Sequence, residues 1–146
     1  MKNVIPAVGV LVFKDDTILL VEHLEGAGHL NGTYGLPSGR LEKDEKHIVA
    51  AIRELEEETG ITTTETDLIE YSENIYTATL KRKRGITVES SIKVFICMKF
   101  SGEIRGSIET SPRWIKISAI EKYRNVLLPN IEKMIKDGLE FLEEQV

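Results

Sequence analysis

The densest chemistry in the chain lies in Arg53-Glu54-Leu55-Glu56-Glu57-Glu58-Thr59-Gly60. On a helix, Glu54 and Glu58 stand one turn apart with Glu57 a neighbouring step away, so three carboxylates share one face. Like charges at this spacing each cost roughly 0.2–0.5 kcal/mol, and a helix C-terminus disfavours anions further. Lys or Arg would suit this last turn better on electrostatics alone. A divalent cation removes both penalties. Oxygen ligands with no Cys or His pair nearby select a hard ion, Mg²⁺ or Mn²⁺. The competing reading is a solvated acidic face, the commoner fate of a Glu-rich helix. Glu56 falls on another flank and is expected in solvent.

These carboxylates need a helix with one apolar side. Asp44 to Thr59 carries it, because Ile48, Ala51, Ile52, Leu55 and Thr59 fall on one stripe and Gly60 follows as a stop. Before it, Val8 to Phe13 and Ile18 to His23 read as strands of a hairpin around Lys14-Asp15-Asp16-Thr17. Glu25 to Thr33 reads as a loop, continued in stiffer form by Tyr34-Gly35-Leu36-Pro37-Ser38-Gly39, with its backbone groups exposed. After the helix, Leu68 to Arg82 and Ile86 to Phe100 form a longer hairpin about Lys83-Arg84-Gly85. Trp114 to Ile117 is a further short strand. Pro129 suits the first turn of a last helix whose Ile131, Met134, Ile135, Leu139 and Leu142 share a face and cover one side of the sheet.

The composition agrees with such a fold. The 146 residues fit one domain over 1–146, and 41% apolar with 29% charged residues excludes a disordered or collagen-like chain. Apolar stretches such as Pro6 to Phe13 fall short of the roughly 18 residues a membrane helix needs. With no secretory signal in the opening residues, a cytoplasmic location is expected. Cys97 is the only cysteine, so intramolecular disulfides and multi-cysteine zinc sites are excluded. The net charge of -5 argues against stable nucleic-acid binding.

Gly39, Glu45, Arg53-Glu54-Leu55, Glu57-Glu58, Gly60 and Ile61 stand at ordered gaps. This pattern resembles the signature box of the Nudix hydrolase family at every defining position, which is far more specific than a lone glycine-rich loop. The likeness continues outside the box in the N-terminal hairpin, Leu36-Pro37, the later long hairpin and Arg113-Trp114-Ile115. It implies an α/β/α sandwich with a central mixed β-sheet. It also implies hydrolysis, with Mg²⁺ or Mn²⁺, of a nucleoside diphosphate linked to another group. By this resemblance Glu54, Glu57 and Glu58 are metal ligands, Glu54 also a candidate to activate the attacking water, and Glu45 and Arg53 orient the site. A backbone carbonyl near Ser38 or Gly39 completes the metal sphere, and a further acidic ligand comes from a later loop, with Glu109 best placed and Glu103 or Glu89 as alternatives. Tyr34 and Ser38 depart from the tryptophan and the paired glycine of many relatives, which bears on loop geometry.

For the substrate, the first expectation is a nucleoside triphosphate cleaved to a nucleoside monophosphate and pyrophosphate. Dinucleoside polyphosphates are an alternative, since Tyr76 resembles a downstream substrate-binding tyrosine of their hydrolases, although ordinary strand packing also explains it. ADP-ribose and nucleotide sugars rank lower, because a proline found downstream of the box in some ADP-ribose-cleaving relatives is absent from Tyr76-Thr77-Ala78-Thr79. Lys81-Arg82-Lys83-Arg84 at the hairpin tip reads first as a solvated turn and second as a reach toward phosphates or RNA. A nucleotide- or RNA-binding module without turnover ranks last, since the box is intact. A homodimer is compatible with the resemblance.

Overall fold

The computed structural model describes residues 3–25 and 27–145. The first strand, β1 (Val4–Lys14), turns at Asp15-Asp16 into β2 (Thr17–His23), as the sequence predicts. The hairpin pairing is short, with Phe13 opposite Ile18 and Lys14 opposite Thr17. The strands then part, because each finds a longer partner elsewhere. β2 pairs antiparallel with a late strand, β8 (Thr110–Lys116), while β1 runs parallel to β7 (Thr87–Cys97) from Val4 opposite Glu89 to Val12 opposite Cys97. The segment expected as an exposed loop differs from expectation. Tyr34–Gly35 (β3) pairs with β2 and Ser38–Arg40 (β4) with β1, and Tyr34 to Pro37 are buried. Ladder bonds satisfy backbone groups that a loop would leave to water.

The expected long strand from Leu68 is broken into β5 (Leu68–Ile69) and β6 (Ile75–Lys81), both antiparallel to β7. Between them Glu73 takes a positive φ of 59°, which no strand admits. The tip after β6 reverses through Arg84 and Gly85, at φ 67° and 72°. Among the described residues the eight strands form one mixed sheet.

Side chains along β1 alternate between the two faces, as the period of a strand requires. Val8, Val10 and Val12 join Leu19, Phe95 and Cys97 beneath the helix α1 (His47–Thr59), whose Ala50, Ala51 and Leu55 are fully buried against them. Leu11 and Phe13 join Leu20, Val94 and Ile96 on the other face, beneath the helix α2 (Ile131–Glu144) with Ile131, Met134 and Ile135, and beside Ile120 of a 3-10 segment. The result is the expected α/β/α sandwich. α2 comes so close that a Cβ on Gly138 would lie 2.7 Å from Leu11 Cδ1. Among the described residues no helix is long and apolar enough to cross a membrane.

Candidate active site

α1 begins three residues later than its sequence pattern, with Asp44 at φ 61° ahead of it, and ends where expected. Gly60, at φ 84°, donates its N–H to Glu56 O at 2.9 Å. Its stripe is Ala50, Ala51, Leu55 and Thr59, with Ile48 and Ile52 half-buried at the margin. The acidic face therefore turns toward the edge of the sheet, where β4 lies across it.

That face is less open than its charge suggests. Glu57 and Glu56 are exposed, but the Glu54 side chain is only 14% accessible, and Glu58 Oε1 accepts the Ser38 backbone N–H at 2.7 Å. Burial drives the Glu58 carboxyl up to about 8. The Ser38 bond opposes this, while the charges of Glu54, Glu109 and Glu57 add to it. Burial also raises Glu54, against the pull of Arg53. The Glu54 carboxylate rests where a Cβ of residue 39 would be, so only glycine admits both. Gly39→Ala is accordingly expected to displace the tip of the Glu54 side chain, which is flexible, and to leave the core alone. The expected result is a melting temperature close to wild type with turnover reduced at least tenfold, roughly what a misplaced catalytic group costs; a thermal melt beside a phosphate-release assay checks it.

Arg53 gathers the remaining acids. Its Nε and Nη2 form a two-pronged pair with Glu45 at 2.8 Å each, Nη1 donates to Glu54 Oε1 at 2.8 Å, and Nη1 reaches Glu57 Oε2 at 3.3 Å. Nη2 also donates to the Arg40 carbonyl at 3.1 Å, tying α1 to β4. Hydrogen bonds from Arg53 hold the Glu45 carboxyl down to about 2, and the same contacts keep the guanidinium charged. Glu45 also accepts the Glu42 N–H at 2.9 Å. One cation within the helix thus offsets part of the repulsion that the spacing implies. With Glu57 turned toward Arg53, no cluster of three or more Asp, Glu, His or Cys side chains stands ready as a metal cage among the described residues.

The structure therefore brings Glu45, Arg53, Glu54, Glu57, Glu58 and the Ser38 backbone to one place. Glu109, exposed in the loop before β8, acts on the Glu58 charge, and that loop is fixed to the helix end by Thr110 Oγ1 donating to Glu58 O at 3.1 Å. Tyr76 goes elsewhere. It is buried in the α2 side of the core, its hydroxyl donating to Asp137 Oδ2 at 2.8 Å and 3.0 Å from the Tyr71 hydroxyl. Tyr76→Phe is expected to cost about 1 kcal/mol of stability through the lost hydrogen bonds and to leave the KM for substrate unchanged, measured by urea unfolding and steady-state kinetics.

Beside the carboxylates lies a cavity of about 110 Å³ that sequence reading did not locate. Ser38, Gly39 and Glu58 form part of its wall, and Leu36, Val88, Ile92 and Met134 supply apolar surface. Two histidines and two arginines also line it, His23, His29, Arg40 and Arg82. The two imidazoles lie 4.5 Å apart, centre to centre. Burial drives His29 down to about 4, helped by His23 and by Arg82 and Arg40, so it is neutral at physiological pH. Of these four, only Arg82 carried a signal in the sequence, as part of the basic run at the hairpin tip.

A family model described as the NUDIX domain matches residues 4–135. Among solved structures, the chain is 29% identical to a bifunctional NMN adenylyltransferase/ADP ribose pyrophosphatase from Francisella tularensis, complexed with AMP and a Mn ion, at a TM-score of 0.73. That match covers 96% of this chain and 42% of the other, so the chain spans under half of the bifunctional protein. A NUDIX hydrolase from Nitrosomonas europaea shares 24% identity at a TM-score of 0.71, over 94% of this chain and 90% of that one. A C. elegans Ap4A hydrolase shares 18% at 0.68, over 97% and 99%. The comparison with curated proteins found no match.

Proposed function

The chain belongs to the NUDIX domain family, and from that premise we propose that it is a hydrolase acting on pyrophosphate bonds, which cleaves nucleoside triphosphates to a nucleoside monophosphate and pyrophosphate with Mg²⁺ as the metal. The observation that carries this reading is the buried Glu58 carboxyl held among Glu54, Glu57 and Glu109 at one wall of an apolar cavity. Such a group is costly in water-poor surroundings unless a proton or a cation neutralises it.

The residues fit a hard cation. Their donors are all oxygens, and the Cβ-free surface of Gly39 gives the Glu54 carboxylate its place. Glu54, Glu57 and Glu58, with a backbone carbonyl of Ser38 or Gly39 and the side chain of Glu109, would hold the ion. When bound, Mg²⁺ neutralises the diphosphate oxygens that otherwise repel a nucleophile. Arg53 fixes the orientation of Glu54 and carries the charge of Glu45, which keeps the cluster from dispersing. Glu54, made more basic by burial, is suited to accept the proton of the attacking water.

A second reading, cleavage of ADP-ribose or a nucleotide sugar, is favoured by the 29% identity to the Francisella tularensis protein. Phosphate release from a panel of nucleoside triphosphates, dinucleoside polyphosphates and nucleotide sugars separates the readings, run with Mg²⁺ and with EDTA. Inorganic pyrophosphatase resolves the products. The expected result is Mg²⁺-dependent release from triphosphates that requires the pyrophosphatase; absence of turnover on every compound would overturn the assignment.

A further inference from the structure

Two arginines, Arg40 and Arg82, line the cavity. Arg53, Arg113 and Arg124 each have a carboxylate partner within 3 Å. Among the described residues no carboxylate pairs with Arg40 or Arg82. They face one cavity, and Arg40 is close enough to add to the effect of burial in lowering the Arg82 pKa. Two guanidinium groups held together without an acid between them repel each other, and an anion converts that repulsion into attraction.

Arg82 is also fixed in place. Its Nε donates to the Gly28 carbonyl at 2.9 Å, and its guanidinium covers Gly28 so closely that a Cβ there would overlap it. Arg82 bridges to His29 through the backbone, and the next residue, Lys83, bonds the Gly28 and Glu25 carbonyls. The hairpin tip is therefore not a free solvated turn. It is clamped on the loop before β3, and one of its basic side chains, Arg82, lines the cavity, its Nη donors without a hydrogen-bond partner among the described residues. His23 and His29, kept neutral, add no charge, so the cationic character of this wall comes from the two arginines.

We propose that Arg40 and Arg82 form an anion subsite of this cavity that receives a phosphate group of the substrate beyond the diphosphate held at the carboxylates. The proposal rests on the reading of the carboxylate cluster given above and deepens it. A nucleoside triphosphate or dinucleoside polyphosphate carries the extra phosphate, whereas the far half of a nucleoside diphosphate sugar is neutral. The arginine pair selects the former. Guanidinium suits this task because its fork of donors matches phosphate oxygens.

The test is isothermal titration calorimetry with Mg²⁺ present, using the non-hydrolysable α,β-methylene analogues of ATP and GTP, each compared with the matching nucleoside diphosphate glucose. Wild type is expected to prefer the triphosphate. Arg82→Gln and Arg40→Gln should each weaken triphosphate binding about tenfold or more, the loss of one charge-assisted hydrogen bond, and leave the sugar nucleotide within about twofold. Lys81→Gln, on the same hairpin but outside the cavity, should change neither and controls for general charge. Arg40 has an exposed side chain, so its variant keeps the test decisive if Arg82→Gln loosens the Gly28 clamp. No triphosphate preference in wild type, equal losses for both ligands, or no loss in Arg40→Gln overturns the subsite. Absence of Mg²⁺-dependent turnover in wild type would instead overturn the hydrolase substrate reading, and leaves the binding comparison to stand or fall alone.

Discussion

Glu58→Gln and Glu57→Gln are each expected to lower kcat on the preferred nucleotide by about 100-fold or more while the protein stays folded. The amide keeps the shape of the side chain and removes the charge. For Glu58 the fold has already accepted an uncharged group, since burial holds its carboxyl protonated up to about pH 8. Gln can still accept the Ser38 N–H through its carbonyl oxygen. Glu57 is exposed and its contact with Arg53 is long, so its loss is affordable for the fold as well. Glu56→Gln, on the solvent flank, should change kcat by less than about twofold. Steady-state kinetics at saturating Mg²⁺ on the three variants provides the check; wild-type turnover in both Glu57→Gln and Glu58→Gln would return this helix to an ordinary charged surface.

The metal-free protein is expected to lose stability as the pH rises from about 6.5 to 8, and Glu58→Gln is expected to abolish that loss. The folded protein retains the Glu58 proton to about pH 8, whereas the unfolded chain releases it near 4.5. The folded state thus binds more protons in this window, and stability falls with pH. Below 6.5 the histidines work in the opposite direction, because His29, at about 4, is neutral in the fold while the unfolded imidazole still takes a proton. Above 6.5 imidazole is largely neutral in both states, and the Glu58 effect stands clear. It amounts to about 2 kcal/mol, or roughly 4–8 °C in melting temperature for a chain of this size.

Mg²⁺ should reverse the slope, since a cation favours the ionised carboxylate and binds the folded state only. Matched NaCl should not reproduce this. Glu57→Gln should erase most of the Mg²⁺-specific rise and Glu56→Gln should retain it. Calorimetric melts across pH with MgCl₂, NaCl or EDTA measure all of these, and a flat metal-free profile in wild type would remove Glu58 from its buried position.

What the sequence disclosed follows from locality. The stripe of Ala51 and Leu55, the stop at Gly60 and the turn at Asp15-Asp16 depend on neighbours a few residues away, so their signals are complete within the segment. The spacing from Gly39 to Ile61 likewise contains Glu45, Glu54, Glu57 and Glu58 within one local pattern. Burial of Glu58 was illegible, because β4 covers it from 20 residues upstream, and a glutamate followed by Thr59-Gly60 reads as solvent-facing. Tyr34-Gly35 and Ser38-Gly39 looked like loop for a related reason: glycine, proline and serine signal turns, while the partners that made these pairs sheet are Val21 and Glu22 for the first and Val8 and Gly9 for the second. The cavity assembles Leu36, Arg82, Ile92 and Met134 from four separate segments, and no local pattern announces such a meeting.

The parallel ladder between β1 and β7 has a consequence for how the molecule comes to be folded. Val4 pairs with Glu89 and Val12 with Cys97, so the most apolar strand of the chain has no lateral partner on that side until more than half of the sequence has been made. At roughly 5–20 residues per second of synthesis, that is a wait of several seconds. During it, Val8, Val10, Leu11 and Val12 present an unsatisfied edge that invites pairing with the same strand of another nascent chain. β2 opposite Phe13 and Lys14 and β4 opposite Ala7 to Gly9 pair with β1 earlier, but they leave the β7 side open. Closure of the sheet is therefore a late, long-range event in folding, and holdase chaperones that shelter apolar segments during translation should raise the yield of this protein more than agents that speed helix formation.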